Sequence, residues 1–322
     1  MRTFDGSDVV VGLDLGGTTF KSALIERDGT HEFVGRHRPE RAAGPEEVVA
    51  GILDHAAESV AEAGRRGAVV RAVGVASCGV VDEAAGVAVF SAAYKWRDVP
   101  LRERLAERLG LPVALGHDVR AGGVAEARLG AGVGHDVFLF VPIGTGVGAA
   151  VMIGGRPFVG AHWQAGEMGH MVLRPGGRRC GCGQRGCVST VAGGPAMERR
   201  YGELTDDPTR GVDAADVARL AAADDPIAGR VWDEMIEALA DTLAASVSML
   251  DPSAVVLGGG IARSGELLSR PLRAELERRL TFQVMPLLLP ARFADESGSL
   301  GAGLLAWDLL AAPPAPARPA AH

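Results

Sequence analysis

His170, Cys180, Cys182 and Cys187 place one imidazole and three thiols within 18 residues, in the stretch GEMGHMVLRPGGRRCGCGQRGCVS. That donor set suits tetrahedral Zn²⁺, which takes Cys₃His ligation in structural sites. Cys180 and Cys182 are too near in sequence to bridge one another easily, and Gly181, Gly183 and Gly186 let the backbone wrap a small ion. Four protein ligands leave no position for water, so the expected metal is structural rather than catalytic. Cys78 stands apart and is expected to be a small core residue.

A second chemistry is suggested by glycines. Asp14 precedes Gly16, Gly17, Thr18 and Thr19; an apolar run ends in Gly144-Thr145-Gly146; and Val255 to Leu257 runs into Gly258-Gly259-Gly260. Glycines at a strand turn let backbone N–H groups approach phosphate oxygens, and threonine hydroxyls add donors beside them. Asp14 could hold Mg²⁺ through water, and the third turn, lacking side chains, suits a flat adenosine. A single Gly-Gly turn is more often only a hairpin, but here there are three. None is a Walker A loop or a GxGxxG fingerprint, so P-loop and Rossmann readings lose their main support.

Phosphoryl transfer to an alcohol also needs a carboxylate that accepts the hydroxyl proton. Asp118 follows the short apolar stretch Pro112 to Leu115, which places it at an expected strand end. Taken alone, an aspartate before a helix is more often an N-cap.

The elements that must position these groups read as an α/β layer fold. Val9 to Leu13 and Phe20 to Ile25 form a hairpin pattern, and Pro45 to Arg65 repeats apolar residues at helical spacing. Val69 to Ala76 reads as a strand, Asp136 to Ile153 as strand, turn and strand, Val231 to Leu250 as a long helix, and Ala254 to Leu257 as a strand. Both halves open with an apolar strand entering a Gly-Thr turn, a weak internal echo that suggests duplicated domains. The expected boundaries are residues 1–121 with 298–311 for the smaller domain, 122–297 for the larger, a zinc loop at 166–190, and a disordered Pro/Ala tail at 312–322.

With 322 residues and 47% hydrophobic content the chain can build two cores. A net charge of −7 with scattered arginines is unlike a nucleic-acid binder. The apolar stretch from Val137 to Gly155 is interrupted by glycines and Pro142, so a buried strand pair is expected rather than a membrane span. Met1 to Gly12 has no secretory pattern, and a cytoplasmic protein is expected.

GLDLGGTTFKSALI, PIGTGVGAA and DPSAVVLGGGIA resemble the two phosphate motifs and the adenosine motif of the actin-like sugar kinases, over residues 9 to about 306. A histidine ten residues before Cys-x-Cys-x₄-Cys resembles the ROK family in particular. This resemblance implies two actin-like (ribonuclease H-like) α/β domains around a cleft, with ATP, Mg²⁺ and structural Zn²⁺ as cofactors, a small-molecule sugar as substrate, and a homodimer. It makes Asp118 of HDVRAGGVAEARLGAG the general base for transfer to a hexose hydroxyl, position 6 by family habit. Glu167 and His170 would touch the sugar, while Ser77 and Gly79 in ASCGVVD would close the pocket.

There are departures from the family pattern. Thr19 stands where a lysine is often found, and a lysine comes instead at Lys21. His117 replaces the usual asparagine before the base, Ser189 replaces the usual glutamate after the last cysteine, and AAYKW lacks the usual asparagine and is a residue short. The last three lie where hydroxyls would be read, which points to a modified hexose such as the amino sugar 3-amino-3-deoxyglucose (kanosamine) or a hexosamine. Repressors of the same family carry a helix-turn-helix before the first phosphate motif, whereas eight residues precede Val9 here, so no DNA contact is expected.

Overall fold

Residues 3–17, 19–38, 44–205 and 211–312 are described by a computed structural model of the protein. Thr18 of the first glycine turn and residues 313–322 of the expected tail lie outside the described residues.

The chain divides into two compact units, one formed by residues up to Asp118 with the stretch from Ser299 onward, the other by Val119–Gly298. The first runs β1 (Asp8–Leu15), β2 (Phe20–Ile25), β3 (His31–His37), α1 (Pro45–Arg65), β4 (Val69–Ser77), β5 (Val80–Asp82), β6 (Val87–Ser91), β7 (Trp96–Val99), α2 (Leu101–Leu109) and β8 (Val113–His117). Helix α3 (Asp118–Leu129) carries the chain onward to β9 (Val137–Pro142), β10 (Ala150–Ile153), β11 (Arg156–Pro157), α4 (Ser189–Ala192), α5 (Gly194–Thr205) and α6 (Ala214–Ala222). Then come α7 (Pro226–Leu250), β12 (Ala254–Gly258), α8 (Gly259–Ala262), α9 (Glu266–Arg279), β13 (Leu287–Pro290) and α10 (Ser297–Ala311).

The internal echo becomes explicit in the sheets. The first is ordered β3-β2-β1-β4-β8 and the second β11-β10-β9-β12-β13, with antiparallel pairs on the hairpin side and parallel pairs on the other in both. A second small sheet in the first unit, β5-β6-β7, was not anticipated: its strands are only three to five residues long, too short to show a clear periodic pattern.

Strand β1 shows how the layers arise. Val9, Val11, Leu13 and Leu15 join one apolar cluster with Val49, Ile52 and Ala56 of α1. Side chains alternate across a strand, so Val10 and Gly12 face the other way. There the backbone of α10 lies so close that a Cβ on Gly12 would strike the Ser299 carbonyl oxygen, and one on Gly74 of β4 the Ala302 carbonyl oxygen. Trp307 seals the contact, donating its indole N–H to the Ile25 carbonyl at 3.2 Å. Gly74→Ala is therefore expected to cost about 1–3 kcal/mol as an overpacked core site. Gly51→Ala, with open space around it in α1, should stabilise by up to about 1 kcal/mol. Urea midpoints of the two variants, measured side by side, check the opposite signs.

In the second unit Leu139 and Val141 of β9, Val255 and Leu257 of β12, and Trp232, Met235, Leu239 and Leu243 of α7 share one core. Helix α7 starts five residues before the expected Val231. Its cap lies outside the apolar run: the Asp225 carboxylate accepts from the Ile227 and Ala228 amides at 3.0 and 2.8 Å, with Pro226 at the first helical position.

Candidate active site and metal site

Parallel pairing of β1, β4 and β8 sets Leu15 opposite Ser77 and Ser77 opposite His117. Asp14, Ser77, His117 and Asp118 therefore collect at the carboxyl ends of three neighbouring strands, where open α/β sheets bind ligands. Across the β1–β2 pair the Asp14 carboxylate lies 3.9 Å from the Lys21 ammonium. His117 is buried, with Nε2 3.4 Å from Asp118 Oδ1 and its amide donating to the Glu83 carboxylate at 3.2 Å. Gly79 has φ +101° and a Cβ there would meet the Phe90 carbonyl, so only glycine lets β6 pass over this end of β4.

Tyr94, from AAYKW, was missed by sequence reasoning. Its buried hydroxyl sits 2.7 Å from the Gly16 carbonyl and 3.0 Å from the Leu15 carbonyl, so its proton is donated to the backbone entering the first glycine turn. Burial first, then Cys78 and the Asp14 and Asp118 carboxylates, push the phenol well up, which keeps it a donor. Lys95 takes a left-handed conformation, φ 56°, and both Tyr94 and Trp96 are buried with their rings 4.7 Å apart. Cys78 is half-buried against the first unit's core rather than within it, and burial pushes its thiol up to about 12, with Asp118 adding to the effect.

In the second unit the other two glycine segments are stitched together. The Ile143 amide donates to the Gly258 carbonyl at 2.9 Å, and the Ile261 amide to the Ile143 carbonyl at 3.1 Å. Gly258-Gly259-Gly260 is not the open turn expected: Gly258 ends β12 and Gly259 begins α8. Gly259 makes the switch at φ +78°, packed on Ile143 where a Cβ would strike its backbone. The Gly144 amide closes its own turn on the Gly146 carbonyl at 2.9 Å.

Ser189 backs this turn. Its hydroxyl accepts from the Val147 amide at 3.1 Å, and Gly169 beneath has no room for a side chain against the Val147 carbonyl. Arg120 of α3 is also placed by burial: only 2% exposed, it donates to the Trp163 carbonyl at 3.1 Å in the loop leading to Glu167.

The ligand atoms of His170, Cys180, Cys182 and Cys187 all lie within 4.8 Å of one another. His170 Nδ1 is 3.6 Å from Cys180 Sγ, and Cys182 Sγ is 3.7 Å from Cys187 Sγ. A Cys₃His tetrahedron with bonds of about 2.0–2.3 Å has edges of roughly 3.5–3.8 Å, which both of these pairs match, so the cluster could hold zinc. The cysteines are free rather than disulfide-bonded. Burial first, then the Cys182 and Cys180 thiols, push Cys187 up to about 12. Cys182 shifts the other way: burial raises it, but hydrogen bonds from the Gln184 amide and the Cys180 and Cys187 thiols outweigh that and lower it. Burial also lowers the His170 pKa, favouring the neutral ring that ligates; its Nε2 lies 3.9 Å from Glu167. Gly186, φ +82°, packs on the Arg174 carbonyl and accepts from the Leu173 and Arg174 amides at 3.0 and 3.1 Å.

Comparison with known proteins places this arrangement. The model of the ROK family matches residues 10–308. The chain belongs to the ROK family. It is 32% identical over 318 residues to a glucokinase of Thermotoga maritima, covering 91% of this chain and 95% of that one. It is likewise 32% identical to an N-acetylmannosamine kinase of Yersinia pseudotuberculosis, with 92% and 97% covered. The crystal structure of a ROK family glucokinase from Streptomyces griseus in complex with glucose and AMPPNP matches with a TM-score of 0.84 at 30% identity, covering 93% of this chain and 99% of that chain.

Two side chains at positions read as departures from the family pattern make definite contacts here. The Ser189 hydroxyl already holds a backbone amide, and His117 brings an imidazole beside Asp118. Within the first unit Asp14, Gly16, Ser77, His117 and Asp118 share one end of the sheet. Within the second, hydrogen bonds and short sequence separations link Gly144–Gly146, Ser189, His170 and Glu167 into one piece of structure. Among the described residues no helix is long and apolar enough to cross a membrane.

Proposed function

We propose that this ROK protein is an ATP-dependent hexose kinase that transfers the γ-phosphoryl group to the 6-hydroxyl of an amino hexose. The observation that carries the reading is the strand register that brings Asp14, Ser77, His117 and Asp118 to adjacent strand ends. Kinship with proteins named glucokinase and N-acetylmannosamine kinase supports the reaction type.

Asp118 accepts the proton of the sugar hydroxyl as its oxygen attacks the γ-phosphorus and the bond to the β-phosphate oxygen breaks, leaving ADP. The products are the sugar phosphate, ADP and a proton, which Asp118 then releases to water. The amides of Gly16 and Gly17, and those of Gly144 to Gly146, cradle phosphate oxygens, with Tyr94 fixing the first of these turns. Mg²⁺ bound with ATP supplies charge neutralisation on the phosphates, and Asp14 would hold it through water. His170, Cys180, Cys182 and Cys187 would hold Zn²⁺ as a structural ion, stiffening the loop on which Glu167 takes sugar hydroxyls.

The preference for an amino hexose follows from the two altered readers. At position 189 a serine hydroxyl committed to Val147 stands where the family pattern has a carboxylate acceptor, and at 117 an imidazole can donate or accept. Purified enzyme with ATP and Mg²⁺ should release ADP with glucose, glucosamine, N-acetylmannosamine and 3-amino-3-deoxyglucose to different extents. An amino hexose is expected to exceed glucose in kcat/KM. Glucose as the best substrate would discard the amino-sugar assignment, and no phosphorylated sugar from any member of the panel would discard the kinase reading.

A further inference from the structure

Beside the cysteine cluster, within the second unit, a cavity of about 230 Å³ is lined by Arg174, Arg178, Arg199 and Arg200 together with Glu203 and Glu234. Four guanidiniums gathered against two carboxylates contrast with a chain whose net charge is −7. The carboxylates are unevenly shared. Glu234 takes Arg200 through two bonds of 2.8 Å, and Glu203 pairs with Arg178. Among the described residues Arg199 instead donates to carbonyls, those of Pro195 at 3.4 Å and Thr190 at 3.3 Å. Arg174 has no carboxylate partner among the described residues. Burial, then repulsion from Arg178, lowers the pKa of Arg199, and the opposing attraction of Glu203 does not offset them.

The rest of the lining is of another kind: Val191, Ala196 and Val231 give an apolar wall. Guanidinium forks match the oxygens of a phosphate, and an apolar wall matches a carbon skeleton. The volume lies below the roughly 300–1,000 Å³ of pockets for drug-sized ligands, which restricts the occupant to a small metabolite. We propose that this cavity binds a small phosphate monoester, its phosphate taken by Arg174 and Arg199 and its carbon skeleton by Val191 and Val231.

The site shares backbone with the functional loop. The Arg174 amide donates to the Gly186 carbonyl, next to Cys187, and Thr190 follows the serine that holds Val147. A ligand here bears on the same segment that carries the last cysteine and Ser189.

Isothermal titration of the full-length protein with glycerol 3-phosphate and with inorganic phosphate, at ionic strength held constant with KCl, tests the proposal. Wild type should bind both, the monoester more tightly. The Arg174→Ala/Arg199→Ala double variant should bind the monoester at least tenfold more weakly while keeping its circular dichroism and zinc content. Arg174→Glu, a change at an exposed side chain, is the second variant and should weaken binding as well. Equal affinity in wild type and both variants, or no binding to wild type at millimolar concentration, overturns the site. Because binding is read directly, the outcome is independent of whether the protein phosphorylates a sugar.

Discussion

Asp118→Asn is expected to lower turnover by about 10²–10⁴-fold, the contribution typical of a positioned general base. The amide keeps the size and planarity of the carboxylate but cannot accept the hydroxyl proton. His117 Nε2, 3.4 Å from Asp118 Oδ1, can still find an oxygen there, and β8 with the start of α3 keeps its backbone unchanged. Sugar affinity, measured by titration without ATP, should therefore stay within a few-fold of wild type. This separation identifies a group acting in the transition state rather than in ground-state binding. Turnover within tenfold of wild type would remove Asp118 from the base role, and a parallel loss of sugar binding would make it a binding residue instead.

The second large effect is expected at the metal site. Cys187→Ser should reduce zinc, measured by mass spectrometry, from about one ion per chain to a small fraction of that, since structural zinc sites use all four ligands. Cys187 is fully buried and its neighbour Val188 sits in the second unit's core, so the chain cannot simply swing another ligand into place. Most of the core built on α7, β9 and β12 comes from outside the cluster's segment, so the protein should remain folded. What should loosen is the segment from Arg174 to Arg185, largely exposed between Leu173 and Val188, which pack on that core. Limited proteolysis should cut between Arg174 and Arg185 in the variant and not in the zinc-loaded wild type. The KM for sugar should rise by about tenfold or more with a smaller change in kcat. Wild type purified with no zinc and an uncut loop would show that the four side chains serve only as packing.

The same cluster was the most legible part of the sequence. Its ligands are local, separated by ten, two and five residues, so spacing alone restricts where the chain can bring them. Helix α1 was equally legible, with both ends at the expected Pro45 and Arg65, because Pro at the first helical position and a single apolar face are local signals. The hairpin β1–β2 belongs with it.

Other features depend on partners far away in the chain. Tyr94 reaches the Gly16 carbonyl across 78 residues, and nothing in AAYKW announces that contact. Ser189 was read at a position where sugar hydroxyls are read, and nothing in the sequence shows that its hydroxyl also accepts from the Val147 amide, 42 residues earlier. The cavity of Arg174, Arg178, Arg199 and Arg200 exists only because α5 packs beside the segment around the cysteines; in sequence these were scattered cations.

Sequence by itself determined the chemistry on offer: thiols and an imidazole for a metal, glycine turns for phosphate, a carboxylate at a strand end. It could do so because these signals lie within a few residues, where backbone geometry leaves little freedom. Tertiary structure alone decided which of those groups share a strand end, which glycine segment is a turn and which starts a helix, and which serine is already occupied. Those outcomes rest on sheet register and on close backbone approach between distant segments, and neither leaves a periodic trace in the order of residues.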